Sequence, residues 1–184
     1  MKKVLVFVLV LYLGRLLSGT VVLAAATPAA TTSVKIDYAL PYPGMLENNP
    51  FFFLKVLRDK IVVRLIADPV AKSFYLLLLA DKRISAGQML MNRGEQKLGA
   101  TTIGEAEVYF AQAVDTALGA KSSGRDTTSL LAKLTVAAAK HEEVIGDLMN
   151  KVRGNDSVVM QKAHQQSLAS GNRVREVFLQ NWLK

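Results

Sequence analysis

Two Asx-Pro pairs, Asn49-Pro50 and Asp68-Pro69, stand 19 residues apart in the stretch from Tyr42 to Arg83, YPGMLENNPFFFLKVLRDKIVVRLIADPVAKSFYLLLLADKR. Asn and Asp are good helix N-caps, and proline fits the first helical position because the N–H it lacks would be unpaired there. The spacing therefore predicts a helical hairpin with almost no loop, entered through a rigid turn at Pro41, Pro43 and Gly44. In the first helix, Pro50 to Ile66, Leu54, Leu57, Ile61 and Leu65 recur at intervals of three and four and so share one face. Phe51, Phe52, Phe53, Val56, Val62 and Val63 widen that face, so the helix is expected to be buried on more than one side. In the second, Pro69 to Asn92, the run Phe74 to Ala80 is apolar all round and predicts a central position in a bundle.

The rest of the chain continues the helical pattern. A third helix is expected over Glu95 to Leu118, with Ile103, Ala106, Phe110, Ala113 and Ala117 inward, or starting late at a Thr102/Glu105 capping box after a frayed turn at Gly99. Ala120 to Gly124 reads as a loop. A fourth helix, capped near Asp126, carries Leu131, Leu134, Ala138, His141, Ile145, Leu148 and Val152 along one face. Gly154 ends it, and Asn155 or Asp156 caps a fifth with the stripe Met160, Ala163, Ser167, Gly171, Val174 and Phe178. No strand pattern occurs. The expected fold is an all-α, up-and-down antiparallel bundle of five helices, with the Pro-rich arm Tyr38 to Met45 extended across its first hairpin. Short connections make each helix the expected neighbour of the next.

Residues 1–26 read as a secretory signal: Lys2 and Lys3 precede the apolar run Val4 to Leu13, and Ala24-Ala25-Ala26 supplies a cleavage site. The alternative is an uncleaved membrane tether through residues 4–23. Residues 27–37 read as a flexible linker and residues 38–184 as one helical domain, large enough to hold a core without a staple. The chain has no cysteine, which excludes disulfides, thiolate catalysis and Cys-ligated metals. Its net charge is +8, or 8 − 3 = +5 without Lys2, Lys3 and Arg15. That charge favours weak attraction to anionic envelope polymers or lipid headgroups. Basic and acidic residues alternate with no aromatic-interleaved basic stripe, so no nucleic-acid partner is expected.

The opening Tyr42-Pro43-Gly44-x-Leu46, then Pro50-x-x-x-Leu54-Lys55, Asp68-Pro69 and the Leu-rich Tyr75 to Arg83 resemble an uncharacterised family of exported, all-helical bacterial proteins. The later Lys140-His141-x-Glu143-Val144 is similar to a second block of that family, so the resemblance runs from Lys35 to Phe178. It implies an exported helical bundle and brings with it no substrate, cofactor or catalytic residue.

His141 is the most pointed candidate, since its ring nitrogens need partners in the middle of an apolar stripe. It reads as a core histidine bonded to a backbone carbonyl or to a tyrosine of the Tyr38–Tyr42 arm. The competing reading is a metal ligand or proton switch with His164, Glu142 or Glu143. Neither histidine has a Glu three residues before it, as di-metal carboxylate bundles require. The paired acids Glu105/Glu107 and Glu142/Glu143 read as surface residues, and no G-x-S-x-G elbow or Gly-rich phosphate loop occurs. Phe51-Phe52-Phe53 reads as core, the alternative being an exposed membrane- or partner-binding patch. The expected function is a non-catalytic, exported cell-envelope interaction or scaffold module without a cofactor. Its partner would be an envelope protein or an anionic polymer, the latter held by Arg173 and Arg175. The alternative is an extracytoplasmic sensor of a metal or small ligand using His141 and His164.

Overall fold

Asp68 caps its helix as its position predicts: the carboxylate accepts from the Ala71 N–H at 2.8 Å, and Pro69 opens the first turn. In the computed structural model, which describes residues 35–182, five α-helices follow in order with no strand among the described residues. They are α1 (Phe52–Leu65), α2 (Pro69–Asn92), α3 (Gln96–Ser122), α4 (Thr128–Met149) and α5 (Asn155–Trp182). The expected leader, residues 1–26, and the linker up to residue 34 lie outside the described residues.

Two connections are closed by glycine. Gly94 has φ +86°, and the Glu95 and Gly94 N–H groups donate back to the Leu90 and Met91 carbonyls at 3.0 Å each. Gly124 repeats the device, with Arg125 and Gly124 donating to Ala120 and Lys121. This is the left-handed helix terminus that glycine adopts without a steric penalty. It extends α3 through Ser122, so most of the expected Ala120–Gly124 loop is helical. The late start also gives way: Thr102 is buried inside α3, its hydroxyl donating to the Leu98 carbonyl. At α1 the start moves the other way. Asn49 forms a turn, accepting from the Phe51 N–H at 2.9 Å, and the helix begins only at Phe52.

α2 to α5 make a four-helix bundle. α2 packs on α3, α3 on α5, α5 on α4 and α4 on α2, so α3 and α4, consecutive in sequence, sit largely across the diagonal. That corrects the expectation that every helix neighbours the next. Pairings give the directions. Ser73 donates to the Ala113 carbonyl and Arg83 pairs with Glu105, so α2 and α3 are antiparallel. Gln166 bonds at Glu107 and Arg173 at Asp115, so α3 and α5 run parallel. The stripes predicted for α3 to α5 face inward, with Val152 buried beyond the end of α4 rather than within it. With α2 they form one apolar cluster around Leu77, Phe110, Leu131, Leu134 and Val174 and a second around Ile84, Ile103, Ile145, Leu148 and Met160.

The arm reaches beyond the hairpin it was expected to cross. Ile36, Tyr38 and Leu40 alternate inward from an extended backbone, and the Ile36 N–H donates to Glu143 on α4 at 2.7 Å. The arm thus begins inside the expected linker, over α2 and α4, and its later part meets the α1–α2 hairpin as expected, where Lys55 of α1 donates to the Pro43 and Met45 carbonyls at 2.9 Å each. Tyr42 and Met45 point to solvent, while Leu46 is the buried anchor against Ala86 and Leu90.

α1 is the larger correction. Its only buried residue is Asp59, 3% exposed, and Leu54, Leu57, Ile61 and Leu65 face outward. Phe51 and Phe53 are exposed as well, so only Phe52 of the triplet is drawn in.

Candidate functional site

Three helices each place one ionisable side chain in the core, at the level between the two apolar clusters. On α4, His141 is fully buried, stacked at 4.9 Å against the Phe110 ring. Its Nδ1 lies 2.8 Å from Glu107 Oε1 on α3 and its Nε2 3.0 Å from Asp81 Oδ1 on α2. The arm adds a fourth member, as the Tyr38 hydroxyl donates to Asp81 Oδ2 at 2.5 Å.

The expectation of a backbone carbonyl or a tyrosine as the histidine's partner is thereby corrected. Both partners are carboxylates, and Tyr38 reaches the ring only through Asp81. Glu107, expected on the surface, is fully buried, and its Oε2 has no hydrogen-bond partner among the described residues.

With carboxylate oxygens facing both ring nitrogens, both nitrogens act as donors and the ring is an imidazolium. Burial alone pushes the His141 pKa down. The charge of Glu107 and the hydrogen bonds to Asp81 and Glu107 outweigh that and raise it to about 9. Burial, together with the hydrogen bond to Asp81 and its charge, raises the Tyr38 hydroxyl. With both ring N–H groups engaged, the ring ties α2, α3 and α4 together.

The other sequence candidates are not gathered around it. Glu142 accepts from Arg175 at 3.0 Å, and Glu143 takes Lys140 at 2.6 Å together with the Ile36 N–H. The Lys140 hydrogen bond is the main reason Glu143 is held below the usual carboxylate range. His164 is half-buried on α5, outside the His141 network. No group of three or more His, Asp or Glu among the described residues is placed to hold a metal ion. Arg173 and Arg175, the expected polymer contacts, pair with Asp115 at 2.7 Å and Glu142 at 3.0 Å.

Sequence reasoning missed Asp81, Glu107 and Arg83. A signal existed for the two acids: each follows a core residue, Leu77 or Ile103, by four positions and therefore lies on the buried face. Arg83 is also buried. It bonds Glu105 at 2.5 Å and Glu47 at 3.3 Å, between the rings of Phe52 on α1 and Tyr109 on α3. Burial raises the Glu47 pKa, against the opposing pull of Arg83 and Lys55. This cluster holds the N-terminal end of α1 to the bundle. Next to it a cleft of about 630 Å³ opens beside Val56, Val63, Val108 and Tyr109.

The outward side of α1 is the remaining feature. At 100° per residue its exposed arc carries Phe53, Leu57, Ile61, Leu54 and Leu65, with Leu57 54% and Leu65 76% exposed. Exposed Arg58, Lys60 and Arg64 accompany them, and the helix's one acid, Asp59, points inward to Arg58 and Tyr75. No protein-family model, curated protein or solved structure matches this chain.

Proposed function

We propose that this protein is a non-catalytic, exported interaction module of the cell envelope that engages its partner through the outward face of α1. One observation carries this reading. Leu54, Leu57, Ile61 and Leu65 lie on one continuous face and at least half of each side chain is open to water. A helix keeps a face of that kind exposed at a cost in stability unless something covers it. The bundle beneath supplies a firm mount, tied internally by the Asp81–His141–Glu107 layer. Export comes from the reading of residues 1–26 and from the family resemblance.

The test is photo-crosslinking in intact cells that make the protein. A photoreactive side chain at Leu57 or Ile61 should form adducts, and one at Val158, which is exposed on α5, should not. Equal labelling at the three positions, or none at any, would overturn the reading.

A further inference from the structure

We infer that the surface α1 docks on is an anionic lipid bilayer, with the helix lying in the plane of the headgroups. This rests on the reading of α1 as the interaction face and names its partner. The exposed arc spans about 160°, from Lys60 at one border to Arg58 at the other, with the apolar side chains between. Arg64 lies within the arc toward the C-terminal end, where its long stem carries the charge outward past the apolar residues. No acid shares the arc. A basic border around an apolar centre matches a surface with phosphates at its rim and acyl chains a few ångströms below.

Length and charge choose among occupants. A 14-residue helix is about 21 Å long, short of the roughly 30 Å hydrocarbon core, so α1 lies on a bilayer and does not cross it. No helix among the described residues is long and apolar enough to span a membrane. A second copy of the chain would set Lys60 and Arg64 against their own copies, with Arg58 already paired to Asp59, which disfavours self-association through this face.

The absence of cysteine makes the test local. A nitrobenzoxadiazole fluorophore on Leu57→Cys in the full chain should shift to the blue with phosphatidylglycerol vesicles and be quenched by quenchers placed in the acyl chains. The same label on Val158→Cys should not respond, which separates α1 from any binding by residues 1–34. Lys60→Gln with Arg64→Gln should weaken the Leu57 response about thirtyfold, from about 1 kcal/mol for each of the two cations. Circular dichroism checks that these exposed substitutions leave the fold intact. An unshifted label at Leu57, an equal shift on phosphatidylcholine vesicles, or an equal shift at Val158 would overturn the proposal. If the vesicles fail while crosslinks at Leu57 persist in cells, the lipid falls and the interaction module stands.

Discussion

The charged state of His141 sets how the molecule responds to pH. Its folded pKa of about 9 lies above the ordinary 6.5, so the stabilisation it brings is fully present below about pH 6.5 and is lost as pH rises through 9. The difference amounts to on the order of 3 kcal/mol. Urea midpoints should fall between pH 6.5 and 9 in the native chain, and that slope should vanish in His141→Gln. The same substitution leaves Asp81 and Glu107 buried without their cation, so at pH 6.5 it should cost about 3–5 kcal/mol. A wild-type profile flat across this range, parallel to that of the variant, would show the ring to be neutral. Helical spacing shows that His141, Asp81 and Glu107 each point inward, but not that they meet. Which acids meet it depends on how α2 and α3 are set against α4, and that is a property of the assembled bundle.

At the scale of elements, legibility followed the number of sides on which a helix is buried. The bounds of α2 are those expected, because an Asx-Pro start and a glycine stop leave little freedom. α1 was misjudged for a physical reason. Phe52, Val56 and Val63 on one side and Leu54, Leu57, Ile61 and Leu65 on the other make it apolar nearly all round, so periodicity establishes a helix without choosing its inner face. Small residues proved more informative. A methyl group on Gly99 would stand 2.6 Å from Met91 Cγ and 2.9 Å from the Gly87 carbonyl oxygen, so the two helices approach through these glycines. Gly99→Ala should therefore destabilise by about 1–3 kcal/mol, as overpacking does. Gly119, exposed in the same helix with nothing within 4 Å of an added methyl, should instead gain about 0.5–1 kcal/mol as Gly119→Ala. Thermal melts of the two variants moving in the same direction would contradict this account of the α2–α3 contact.

For the whole molecule, all-α architecture was legible because every stripe has the helical period, but the diagonal placement of α3 and α4 was not. A short connection limits the distance between helix ends without choosing between an adjacent and a diagonal corner. The resulting bundle places the Asp81–His141–Glu107 layer between two apolar clusters and leaves α1 at the margin, with Val63 packed against the first of them. α1 is held by the Arg83 cluster at one end and by Asp59 against Tyr75 in its middle. A 14-residue helix with so little buried is marginal by itself, so its opening should not require the bundle to open. Native-state hydrogen exchange should find α1 amides opening at least about 2 kcal/mol more easily than those at the centres of α2 to α5, with little dependence on urea. Exchange of α1 in step with α2–α5 would mean that Arg83 and Asp59 bind it as firmly as a core helix. Independent opening would instead leave α1 free to adjust its tilt on whatever surface covers it while the bundle stays folded.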